Sequence, residues 1–241
     1  MSIALNTKNT IAEIPRGKVF NYRFFEQFEA SPEAVIKTVS RLVDDGTIER
    51  LSRGKFYKPE QGYLGALQPS DSELINTVLY KNGHLRGYIT GAALYNKLGL
   101  TTQLPKTIMV AINGSRQTKD FGTIKIVTKP TNAPIDQKTV KLLQYLDVLN
   151  SASKVMDGEI SETLRIMSER IAELTTSQQK KMIELAIRYY GAKAKATLGL
   201  LISSLGLSIP VSLEQATNPV TSYKLGLDPA MWPNAKQWNI S

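Results

Sequence analysis

Lys37, Thr38, Ser40 and Arg41 follow one another closely, and Arg50, Arg53 and Lys55 come soon after. Lysine and arginine reach phosphate oxygens and the acceptor edge of guanine. Serine and threonine donate to phosphates or touch base edges. Set on one helix and one turn, these side chains could grip a nucleic-acid duplex. Scattered, they would be an ordinary solvated surface. Other chemistries are poorly served. The chain has no cysteine and one histidine, His84, so disulfides and cysteine-based zinc sites are excluded and no metal is expected. No nucleophile elbow accompanies His84, which reads as a packed or turn residue. The glycine-rich run 83–91 lacks the lysine and hydroxyl pair of a phosphate loop, and no cofactor is expected.

Positioning the basic residues falls to residues 6–58. A short helix from Asn6 or Thr7 reaches Ile14 and is ended by Pro15-Arg16-Gly17. Residues 19–22 read as extended. A second short helix carries Phe24, Phe25 and Phe28 toward the core. Ser31 is a favoured N-cap, Pro32 suits the first helical position, and Glu33 complements the helix dipole. In the third helix, Val35, Val39 and Leu42 form the inward stripe and the polar residues are expected off it. Gly46 ends the helix. Residues 48–51, the turn Ser52-Arg53-Gly54-Lys55 and Phe56-Tyr57 then make a basic hairpin. This order predicts a winged helix-turn-helix, whose third helix enters the major groove while the wing touches the backbone.

Thirty lysines and arginines face 21 acidic residues, a formal net charge of +9, which favours a polyanionic partner. Residues 61–130 hold 8 basic and 3 acidic residues, so charge is densest outside the expected winged region. Arg86, Lys97, Lys106, Arg116, Lys119 and Lys125 form a candidate basic surface there. Three readings are open for it: an extension of a DNA footprint, a site for an RNA or nucleotide target, or a solvated surface. Strands are expected over 107–112 and 122–128, and a helix over 92–98. Beyond Pro134 the leucine-rich spacings predict successive helices, with Trp232 and Trp238 pinning the tail. The fold class is therefore α+β: a winged domain over residues 1–65, then a mixed domain over 66–241 with a helical later half. No stretch is long and apolar enough to span a bilayer, the start does not resemble a signal peptide, and the expected location is the cytoplasm.

Several segments resemble the AbiE-type antitoxins of abortive-infection, type IV toxin–antitoxin systems. Residues 31–35, 40–43 and 46–59 are similar to their winged domain. Residues 87–103, with Thr90-Gly91-Ala92-Ala93 and Leu98-Gly99-Leu100-Thr101-Thr102-Gln103 the more diagnostic parts, look like the opening of their second domain. Residues 190–206 resemble a late helix. The resemblance implies a reading helix over 31–43 and a wing over 48–58. It also implies an antitoxin that represses its own operon at promoter inverted repeats. Its second domain would counter a nucleotidyltransferase-like toxin without necessarily forming a stable complex. No enzymatic activity is expected. The alternatives are a ligand-responsive winged-helix regulator unrelated to a toxin and, with less support, a DNA-targeted nuclease. The last needs clustered carboxylates for a metal, and residues 61–130 offer only Asp71, Glu73 and Asp120.

Overall fold

The computed structural model describes residues 2–63, 65–155, 159–218 and 220–241, which divide into two compact units, Met1–His84 and Leu85–Ser241. The first opens with helix α1 (Ile3–Glu13), capped by the Ser2 hydroxyl, which accepts from the Leu5 amide. It starts earlier than the residues 6–14 expected. Strand β1 (Val19–Asn21) follows. Two single 3-10 turns, Tyr22–Phe24 and Glu26–Phe28, stand where a second helix was expected. The Asn21 side chain accepts from the Arg23 amide and fixes the first turn. Phe25 is buried as expected, but Phe24 is 52% exposed.

Helix α2 (Pro32–Asp44) has Pro32 in its first turn, and Ser31 supplies no side-chain cap. Strands β2 (Glu49–Ser52) and β3 (Lys55–Tyr57) form the hairpin. Gly54 takes φ 72° in its turn, a left-handed conformation that a side chain disfavours. The antiparallel sheet runs β1-β3-β2. Val35, Val39, Leu42, Ile48, Phe20, Phe25 and Phe56 close one core over it with Ile11 and Ile14.

The first unit runs past the expected limit at residue 65. Strands β4 (Glu60–Gly62) and β5 (Gly65–Leu67) pair. Helix α3 (Asp71–Leu79), capped by Ser70, then returns to the sheet. Glu73 on α3 accepts from the Val19 amide at 3.0 Å and from Lys18 Nζ. Strands β6 (Tyr80–Lys81) and β7 (His84–Leu85) form a two-stranded ribbon.

The second unit is built on a sheet of order β10-β11-β9-β8. It comprises β8 (Gly87–Thr90), β9 (Thr107–Ile112), β10 (Thr118–Asp120) and β11 (Lys125–Pro130), with helix α4 (Ala92–Lys97) after β8. β9 and β11 run parallel, and the connection between them contains β10, antiparallel to β11. Helices α5 (Val140–Ser151), α6 (Ile160–Ala172), α7 (Thr176–Tyr189) and α8 (Ala192–Ser204) follow. They match the leucine-rich spacings, and α7 starts with a Thr175/Gln178 capping box. A short helix α9 (Val211–Gln215) leads to the tail. Trp238 is buried, donates to Ser203 Oγ at 3.0 Å and lies against Gly199 of α8, where any Cβ would fall 2.2 Å from its ring. The tail is pinned as expected. Among the described residues no helix is long and apolar enough to cross a membrane.

Candidate nucleic-acid interface

The amphipathic pattern of α2 buries Val35, Val39 and Leu42 and leaves Lys37 and Arg41 exposed, one turn apart, with half-buried Ser40 between them. Neither Lys37 nor Arg41 makes an ion pair among the described residues. Thr38 is a correction. It falls on the inward side, is 5% exposed, and donates its hydroxyl to the Ala34 carbonyl at 2.8 Å. A hydroxyl buried and occupied in this way cannot meet a base or phosphate.

On the hairpin, Arg53 stands exposed at the turn. Arg50 lies opposite Phe56, and its guanidinium carbon sits 5.6 Å from that ring's centre. That contact sets the guanidinium of an otherwise exposed residue against the ring. Lys55 is the second correction. It is half-buried and donates to the Thr77 carbonyl at 2.7 Å, so its ammonium is directed to α3 rather than to the tip of the turn. The hairpin is closed at its far end by Tyr57, which donates to Glu49. Burial first, and Glu49 second, push the Tyr57 phenol well above its ordinary range.

The six basic residues of the second unit do not all share one environment. Lys97 is exposed at the end of α4, and Arg116 is exposed between β9 and β10. Lys106 and Lys125 are exposed neighbours at one end of the parallel pair, where the Lys125 amide donates to the Lys106 carbonyl. Lys119 and Arg86 are half-buried. Burial, and then Arg86, hold Lys119 below the usual lysine range, which weakens its claim as a ready phosphate ligand. Of the two settings expected for His84, it is not packed: it is exposed on β7, directly after the turn at 82–83. Among the described residues no group of three or more histidine, cysteine or acidic side chains is placed to hold a metal.

Sequence reasoning missed a polar cluster inside the second unit. Asp147 of α5 is 8% exposed between Leu146 and Val148. It accepts from Thr90 Oγ1 of β8 at 2.6 Å and from the Tyr190 hydroxyl at 2.8 Å. Tyr88 and Tyr95 lie near enough for its charge to act on them. Burial first, and then Asp147, raise the phenols of Tyr88 and Tyr190. Two cavities, of about 330 and 360 Å³, share Asp147 and Lys129 in their walls. The one available hint in sequence was an acidic residue amid leucines that the helical spacing assigns to a buried face.

The two units together define an α+β protein with a mixed sheet region and a more helical C-terminal half. A model of a family described as a family of unknown function, DUF6088, matches residues 6–176, and the chain belongs to that family. No curated protein matches. Among solved structures, the chain is similar to the RV2827C protein from Mycobacterium tuberculosis, at 14% identity over 90% of this chain and 82% of that one, with a TM-score of 0.49.

Proposed function

We propose that the first unit is a winged helix-turn-helix and that the protein binds DNA with it, acting as the autorepressing antitoxin of a type IV toxin–antitoxin operon. One observation carries the DNA-binding part. Lys37, Ser40 and Arg41 occupy the outward side of α2, and the same small sheet presents Arg53 at the turn of its hairpin. The sheet order β1-β3-β2 with α2 between β1 and β2 is the connectivity a winged module requires. In this reading α2 lies in the major groove, where Lys37 and Arg41 reach base edges or phosphates. Ser40 donates to the backbone, and Arg53 with Arg50 neutralises phosphates beside it. The antitoxin part rests on the resemblance of residues 87–103 and 190–206 to AbiE-type proteins. It assigns the second unit to opposing a nucleotidyltransferase-like toxin in the cytoplasm.

The test is binding of the purified chain to its own upstream DNA and to a scrambled duplex, at two salt concentrations. Preference for the upstream DNA, lost in Lys37→Ala/Arg41→Ala, is the expected result. Equal affinity for both duplexes overturns the autorepressor. Co-expression with the neighbouring toxin gene product then reads the antitoxin part: growth must be rescued by the second unit's presence, not by operator binding alone.

One observation favours a second reading, a ligand-responsive regulator without a toxin: the cavities beside Asp147. A small molecule that alters operator affinity would support it.

A further inference from the structure

A buried carboxylate is costly unless its oxygens are satisfied. Asp147 meets that condition through Thr90 and Tyr190, and a purely structural carboxylate needs nothing more. Asp147, however, also lines open space on two sides. The first cavity has Tyr95, Ser151 and Lys154 in its wall, and the second has Tyr88, Asn150 and Arg188. Lys129, from the helix-facing side of β11, borders both. Each space is at the lower end of the ~300–1,000 Å³ typical of ligand pockets.

The charges in these walls are ordered. Lys129, Lys154 and Arg188 are exposed and make no ion pair among the described residues. The acid is sunk inside them. Close by, Lys193 donates to Ser153. It is held below the usual lysine range by burial first and then by the neighbouring charge of Lys154. A ligand that fits has an anionic end for the cations and hydrogen-bond donors for the carboxylate. It also has a flat body to lie among tyrosine rings. A simple anion leaves Asp147 opposed to it, and an uncharged donor leaves the basic rim unused.

We propose that the second of these cavities, bordered by Asp147, Lys129 and Arg188, binds a mononucleotide. Its phosphate meets Lys129 and Arg188, and an amino or hydroxyl group of its base or ribose donates to Asp147. Tyr88 and half-buried Tyr190 line the same cavity and supply its aromatic walls. The site lies wholly within the second unit and does not depend on DNA binding by the first.

The test is calorimetric titration of the purified full-length chain with AMP, GMP, CMP and UMP, with inorganic phosphate and ribose 5-phosphate alongside. At least one nucleotide is expected to bind saturably, with a dissociation constant below about 1 mM. Lys129→Ala and Arg188→Ala change exposed side chains and leave the fold intact. Each should weaken binding by about tenfold or more, the usual scale of a charge-assisted hydrogen bond. Asp147→Asn tests the donor contact and should alter the ranking of the four bases or abolish binding. If that variant unfolds, the two rim variants still decide. Absence of binding by all four nucleotides at millimolar concentration overturns the proposal. So does an affinity unchanged in both rim variants, or inorganic phosphate or ribose 5-phosphate binding as tightly as the best nucleotide.

Discussion

At the residue scale, what separates Arg41 from Thr38 is the direction each takes from the same helix. Arg41 points to solvent and Thr38 to the core. Arg41→Ala is expected to cost about 1–3 kcal/mol of operator binding and to relax specificity at one base pair. A loss equal on all sequences would make Arg41 a phosphate contact instead, and a competition series across single-base operator variants distinguishes the two. Thr38→Val should leave operator affinity unchanged while lowering stability by about 1 kcal/mol, because the hydroxyl's bond to Ala34 is lost. The inward side of Thr38 was legible in principle: it lies three residues after Val35 and four before Leu42, within the buried stripe. The turn of Lys55 toward Thr77 was not legible. Its acceptor sits 22 positions on, in a helix whose return to the sheet no local pattern announces.

At the element scale, the longer helices and the local hairpin of β2 with β3 were readable, whereas the pairing of strands distant in sequence was not. The fours and threes separating Ile160, Leu164, Met167 and Ile171 fix a face for α6 without reference to any neighbour. The parallel pairing of β9 with β11 depends on contacts distant in sequence, and strands of three residues such as β10 carry too little alternation to be seen. The same non-locality explains why α3 belongs to the first unit. Its polar anchors are Glu73, which accepts from the part-buried Val19 amide, and the Thr77 carbonyl, which accepts from Lys55. Glu73→Ala should therefore destabilise the protein by about 1–2 kcal/mol in chemical denaturation. Lys18→Ala removes only an exposed ion pair and should have a far smaller effect. Overpacking gives a complementary prediction on α8. Gly199→Ala would drive a methyl into the Trp238 ring, and should cost about 1–3 kcal/mol or release the tail. A red shift of tryptophan fluorescence before the main unfolding transition would report release.

The buried tyrosines of the second unit make a pH prediction. Burial and Asp147 raise the folded-state values of Tyr88, Tyr95 and Tyr190 above the ordinary 10.0. The unfolded chain then loses these protons first. Stability is fully present below pH 10.0 and falls as pH rises beyond it. Phenolate absorbance should show these rings ionising together with loss of helical circular dichroism, and Tyr190→Phe should make the decline shallower. A smooth ionisation of all ten tyrosines with the fold intact would contradict their burial beside a carboxylate.

At the scale of the whole molecule, charge and proposed DNA contact are unevenly shared. Residues 1–84 hold 11 basic and 10 acidic side chains, a net +1, whereas residues 85–241 hold 19 and 11, a net +8. If only the first unit touches DNA, its grip comes from a few well-placed cations and not from its overall field. Lys37, Arg41, Arg50 and Arg53 are the exposed basic residues of the proposed surface. Each phosphate neutralised on a duplex contributes a slope of about −0.9 in log affinity against log salt, so three contacts per protomer give about −2.7, and a fourth, if Arg41 meets a phosphate and not a base, gives about −3.6. Operator binding by the first unit alone is expected within that range, up to about −3.6, and losing Arg53 should reduce the magnitude by about one. A much steeper slope, restored toward −3.6 by Lys106→Glu/Lys125→Glu, would mean that the basic face of the second unit also lies on the duplex. Unchanged slopes in those variants would leave its charge for another polyanion, and the nucleotide titration then becomes the direct measure of what that charge holds.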